Sequence, residues 1–203
     1  MIRLFCLLIL FIVTLPYPAS ALEPAVGRLL VAADTMADAR FRETVILLLR
    51  HDAGGTLGVV LNHPSQLPLA EAIRGTDLFL DREDLLWLGG PVSPGRALVL
   101  TGSRDVEGRD ILPGVRATGV RELAEVLNRD GQVDPFRVFA GHAGWAPGQL
   151  SGEVARGDWW VQPATAELVF GDAGTLWRQL SDEGRPVLAL SLLTFPGGPA
   201  ARP

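Results

Sequence analysis

Gly141-His142-Ala143-Gly144-Trp145-Ala146-Pro147-Gly148-Gln149-Leu150, followed by Asp158-Trp159-Trp160, decides how this chain is read. Glycine lacks the Cβ that keeps two main chains apart, and tryptophan is the bulkiest side chain. Their density here marks a backbone crossing or a tight bend under Trp145. The apolar run Phe136–Ala140 just before it predicts a strand. Pro147 predicts the start of a helix that takes in Leu150 and Val154, so the block is expected to carry strand into helix.

On the N-terminal side, Leu29–Ala32, Thr44–Leu49 and Leu57–Leu61 are short apolar runs that suit strands. His51-Asp52-Ala53-Gly54-Gly55 between the last two is hairpin chemistry, which makes them an antiparallel pair. Their apolarity is continuous rather than alternating, so both faces are expected to be covered. Asn62-His63-Pro64 ends the third run, with Asn62 able to cap backbone groups and Pro64 enforcing a stop.

Leu67–Ile73 predicts a short helix with Pro68 in its first turn, and Leu85–Leu88 predicts a strand cut off by a tight turn at Gly89-Gly90-Pro91. Arg96–Thr101 is a further strand, and Gly102–Gly108 reads as an exposed loop. Leu123, Val126 and Leu127 share one face of a helix over Arg121–Arg129, stopped by Asp130-Gly131. Trp159-Trp160-Val161 is a strand whose two indoles must face opposite sides. Thr165–Phe170 and Thr175–Leu180 are helical, and the tail after Phe195 is expected to fray. Strands mixed with helices, and hairpins mixed with crossovers, define an α/β or α+β domain with a mixed, partly antiparallel β-sheet surrounded by helices.

The opening block, together with Gly58-Val59-Val60-Leu61-Asn62-His63-Pro64 and Gly89-Gly90-Pro91-Val92, resembles the YqgE/AlgH family of bacterial proteins, sometimes labelled transcriptional regulators. The resemblance spans about Leu29–Leu193 and implies a mixed or branched sheet wrapped by helices. It implies no reaction. Ser151-Gly152 stands where the family usually has acids after Gly-Gln-Leu, leaving Glu153 as the remaining carboxylate. Thr101 replaces a common histidine and Asp158 a common asparagine, so any polar site of relatives is altered here.

Met1-Ile2-Arg3 and the apolar run Leu4–Val13 read as a secretory leader, too short to span a bilayer. Ala19-Ser20-Ala21 supplies small residues for cleavage after Ala21, so residues 1–21 are expected to be a signal peptide and 22–203 one exported domain, periplasmic or secreted, with no stable membrane anchor after cleavage. The alternatives are an uncleaved anchor, or a misassigned start on a cytoplasmic protein. Cleavage removes Cys6, the sole cysteine, so stability must come from the core rather than from disulfides.

Every basic residue is arginine, scattered among acids, and the formal balance is −5. Nucleic acid is therefore not an expected partner, since phosphate contacts need a basic patch. His51, His63 and His142 are the only histidines, and none has metal-ligand spacing, so no metal or cofactor is expected. No Gly-x-Ser-x-Gly elbow exists, and Gly141-His142-Ala143-Gly144 has Ala143 where a nucleophile would stand. A non-catalytic binding or assembly protein of the cell envelope is the preferred reading, with an unidentified protein or small-molecule partner. Asn62, His63, His142 and Trp145 are its candidate binding residues, because backbone irregularity at these strand ends opens pockets. The competing readings are a cytoplasmic transcriptional regulator and a hydrolase using His142 or His63 with a serine such as Ser93 or Ser103.

Overall fold

The computed structural model describes residues 22–75 and 77–184. The expected leader and cleavage site, and the C-terminal tail, lie outside the described residues. Ten strands form one curled sheet with two lobes. In the first lobe β10 (Trp159–Pro163), β1 (Arg28–Ala32), β2 (Val45–Asp52) and β3 (Gly55–Val60) follow one another antiparallel and end on β9 (Phe136–Trp145). In the second, β4 (Pro64–Pro68) and β5 (Leu85–Leu88) flank one edge of β9, and β6 (Val92–Thr101), β8 (Val115–Thr118) and β7 (Arg109–Leu112) flank the other. Among the described residues only the β5–β9 pair is parallel.

β9 therefore belongs to both lobes: its N-terminal half lies between β5 and β6, and its C-terminal half pairs with β3. The chain joining β5 to β6 has to pass over β9, and it does so at Gly89-Gly90. A Cβ on Gly89 would stand 2.4 Å from the Gly141 carbonyl oxygen, one on Gly90 2.3 Å from the His142 carbonyl carbon, and one on Gly141 2.4 Å from the Gly90 oxygen. No residue but glycine fits any of these three places. The two glycine motifs are thus the two halves of one crossing. Gly89-Gly90-Pro91 is a crossover rather than the expected tight turn, and the strand expected to end at Ala140 runs on to Trp145.

Apolar side chains fill three layers. Leu29, Leu47, Val59 and Phe139 face the space between the lobes, closed by α4 (Ala166–Phe170) and α5 (Ala173–Gly184). Leu30, Ile46, Leu48 and Val60 face the opposite side of the first lobe, under α3 (Gln149–Ala155). The second lobe's outer face packs Val99, Val138 and Phe136 against α1 (Leu69–Ala72) and Leu123, Val126 and Leu127 of α2 (Val120–Asp130). Successive β2 residues thus enter different cores, which is why their apolarity is continuous. Trp159 and Trp160 likewise enter different layers. Among the described residues no helix is long and apolar enough to cross a membrane.

Three strands were not anticipated. Pro64 stops β3 but opens β4, and the β7–β8 hairpin follows the loop at residues 102–108.

Candidate functional site

Outside the first lobe, the loop before β2, the C-terminal end of β9, α3 and the start of β10 enclose a recess of about 320 Å3. Its floor is aromatic. Trp145 and Trp159 meet edge to face at 6.1 Å between ring centres, and Phe41 lies stacked on the first at 6.4 Å and edge-on to the second at 5.8 Å.

One carboxylate fixes these rings. Glu153 Oε2 accepts the indole N–H of Trp145 at 2.8 Å and of Trp159 at 2.9 Å, and its Oε1 accepts Gln149 Nε2 at 2.9 Å. Gln149 and Glu153 are four residues apart on α3 and so share a face. The Gln149 Oε1 in turn accepts the Ala146 N–H at 3.0 Å, tying the strand's end to the helix. Both indoles are nearly buried, and a buried donor needs an acceptor.

Phe41 is delivered by a stitched loop. Arg42 donates to the Met36 and Ala37 carbonyls, and Asn62 accepts the Val45 N–H at 2.9 Å while donating to the Glu43 carbonyl at 2.8 Å. The rim carries two ion pairs, Arg40–Asp38 at 2.6 Å and Arg156–Asp158 at 2.7 Å. Hydrogen bonds from Arg40 hold the Asp38 carboxyl below its ordinary pKa.

Of the four anticipated residues, Trp145 forms the recess floor and Asn62 braces the loop that supplies Phe41. His142 does not line the recess; it neighbours Gly144, which does, and a Cβ there would lie 3.8 Å from the imidazole Cδ2 and 3.7 Å from Val92 Cγ2. His63 stands apart, its carbonyl accepting the Leu88 N–H at 2.9 Å on the β5 side. Burial lowers the pKa of both imidazoles, with Arg96 and Arg50 adding to the effect at His142, so both are neutral at pH 7. The unanticipated contributors are Phe41, Gln149, Glu153 and the two rim pairs. Glu153 and Asp158, singled out where the sequence departs from its resembled family, both line this recess.

A larger hollow of about 650 Å3 lies beside the β7–β8 hairpin. Of its two arginines, Arg104 and Arg116, the latter is committed to the carbonyls of Arg104, Val106 and Gly108 and to Asp110. Among the described residues no three histidine, cysteine or acidic side chains gather at metal-binding distance.

Fold and recess together define a class: branched-sheet α/β proteins with an aromatic hollow braced by a single carboxylate. The chain belongs to the AlgH-like family (DUF179), which matches residues 29–185. It is 36% identical over 151 residues to a UPF0301 protein of Chlorobium chlorochromatii, covering 72% of this chain and 79% of that one. It is 34% identical over 183 residues to a UPF0301 protein of Streptomyces avermitilis, covering 86% and 93%. Among solved structures it resembles the protein DIP2367 of Corynebacterium diphtheriae (TM-score 0.69, 28% identity, 83% of this chain and 91% of that one). It also resembles the AlgH protein of Pseudomonas aeruginosa (TM-score 0.64, 27% identity, 86% and 95%). None of these names states an activity.

Proposed function

We propose that the protein is a non-catalytic binding or assembly protein, and that the recess over Phe41, Trp145 and Trp159 receives an apolar group of a protein or small-molecule partner. The observation that carries this reading is the clamp of Glu153 on both indoles, which holds a preformed aromatic surface beside a hollow large enough for a side chain or small ligand. The hydrolase alternative lacks its relay. Among the described residues neither His63 nor His142 has a side-chain hydrogen bond, whereas a general base must reach its partner. Ser103 accepts the Asp105 N–H beyond the Thr101–Phe136 end of the β6–β9 pairing, and Ser93, although it follows Val92, the strand partner of His142, makes no hydrogen bond to that imidazole among the described residues. The regulator alternative lacks a phosphate-facing surface, because exposed arginines such as Arg40, Arg121, Arg129 and Arg156 sit on neighbouring acids.

Export is part of the proposal: residues 1–21 act as a leader and the domain works in the periplasm or outside the cell. The apolar run Leu4–Val13 ahead of Ala19-Ser20-Ala21 is the observation behind this part. Saturation-transfer NMR with indole, benzylamine and benzoate tests the recess. Transfer to at least one fragment, lost in Phe41→Ala, is expected; no transfer to any fragment defeats the binding reading. Mass spectrometry of the N-terminus from fractionated cells tests export, and an intact Met1 in the cytoplasm defeats that part alone.

A further inference from the structure

β6 leaves β9 at the pairing of Val92 with His142, because the crossing at Gly89-Gly90 carries the chain away. Beyond that point, among the described residues, Ala143, Gly144 and Trp145 pair on one side only, with Gly58, Leu57 and Thr56 of β3. This three-residue edge borders the recess, whose lining includes Gly144 and Trp145 together with Pro91 and Val92 of the departing chain.

Gly144 is the telling residue. Unlike Gly89, Gly90 and Gly141, it has neither a left-handed φ nor a backbone atom in the way of a Cβ: the nearest neighbours would be side-chain atoms at 3.7 to 3.9 Å, ordinary contact distance. Neither conformation nor packing calls for glycine there. Gly144 is also exposed, and since it has no side chain its exposed surface is main chain. A glycine inside a strand without a structural need marks a place where another backbone approaches. In an antiparallel ladder the residues alternate, those bonded inward and those whose N–H and C=O point outward. Ala143 is fully buried with Gly90 lying against its nitrogen, and Trp145 is nearly buried, so any donor and acceptor offered to the open side are those of Gly144.

We infer that the partner is an extended polypeptide segment that adds as a short antiparallel or parallel strand to β9 at Ala143–Trp145 and places a large apolar side chain on the Phe41–Trp145–Trp159 floor. Only a peptide backbone presents amide donors and acceptors at the strand repeat, and the recess lies where an alternate side chain of such a strand would project. The inference rests on the binding reading above and specifies its ligand.

The test uses fluorescein-labelled heptapeptides of alternating valine and serine with leucine, phenylalanine or glutamate at the centre, followed by anisotropy. Each peptide is also made with backbone N-methylation at alternate residues, in both phases. The leucine or phenylalanine peptide should bind more tightly than the glutamate one. One phase of N-methylation should weaken binding by about tenfold or more while the other leaves it unchanged, since a strand bonds its host through every second residue. Gly144→Ala should weaken peptide binding and retain the wild-type melting temperature. Equal binding of all N-methylated forms overturns strand addition while leaving the recess reading intact. The same holds if peptides fail to bind although the aromatic fragments do. If neither binds, both readings fall. Dimerisation in size-exclusion chromatography that Gly144→Ala abolishes would make the occupant a second copy of this chain and overturn the inference.

Discussion

Glu153→Ala is the perturbation with the clearest arithmetic. The carboxylate accepts two indole N–H groups, from Trp145 and Trp159, whose residues are 6% and 2% exposed. Removing the acceptor strands both donors in a place that water enters poorly, at about 1 to 3 kcal/mol for each. Gln149 is exposed and rehydrates, so its lost bond costs little. Relief of the carboxylate's own partial desolvation offsets part of the sum. A net loss of about 3 kcal/mol follows, equivalent to a fall of about 6 to 12 °C in Tm for a domain of this size. Glu153→Gln retains a carbonyl acceptor and should lose only about 1 to 2 kcal/mol. In a Trp159→Phe background, where one donor is already gone, Glu153→Ala should cost about 1 kcal/mol less than in the wild type. Urea titration followed by far-UV circular dichroism measures all three, and an unchanged slope certifies that stability alone moved. The reasoning is refuted if Glu153→Ala costs less than about 1 kcal/mol, or if the glutamine variant is as damaged as the alanine one.

Three further outcomes follow from the geometry. Gly90→Ala places a methyl 2.3 Å from the His142 carbonyl carbon at a φ of 145°, and should prevent accumulation of folded protein, whereas Gly144→Ala should cost less than about 1 kcal/mol; soluble yield and urea midpoints compare them. Arg137 lies 3.9 Å above the Trp87 ring and donates to the Val169 and Gly171 carbonyls at the end of α4. Burial lowers its pKa to about 10, so it is charged at neutral pH. Arg137→Lys cannot fork across two carbonyls while stacking and should lose about 2 kcal/mol by chemical denaturation. For His63, burial lowers the folded-state pKa beneath the ordinary 6.5. As pH falls through 6.5 the unfolded chain takes up a proton that the folded one resists, so stability declines until the pH passes below the folded value and then levels. His63→Gln should flatten that part of the stability profile, and an unchanged slope would contradict the assignment.

The sequence made some elements plain. The β2–β3 hairpin announced itself through two apolar runs around Asp52-Ala53-Gly54-Gly55, and α2 through Leu123, Val126 and Leu127 ahead of Gly131, which caps it in the left-handed conformation. β4 escaped because prolines bound it at both ends, and β7 and β8 because each is four residues long and carries charge at Arg109, Asp110 and Arg116. The glycine pairs at 89–90 and 141–144 signalled close approach, but composition cannot say what approaches; only topology reveals that they approach each other. The recess was half legible. Trp145 and Asn62 stood out, while Phe41, set in Arg40-Phe41-Arg42-Glu43, has the local text of a solvated loop. Glu153 could have been found from its helical spacing to Gln149, yet nothing local pairs it with two indoles on different strands.

The shared strand also bears on how the molecule is made. β9 begins only at Phe136, and every strand from β1 to β8 precedes it in the chain. A ribosome therefore delivers eight strands before the piece that joins the lobes, with β10 of the first lobe following it, and these long-range pairings must wait for β9 before their loops can close. The nascent chain should stay protease-sensitive until translation has passed Pro163, then consolidate late around that keystone.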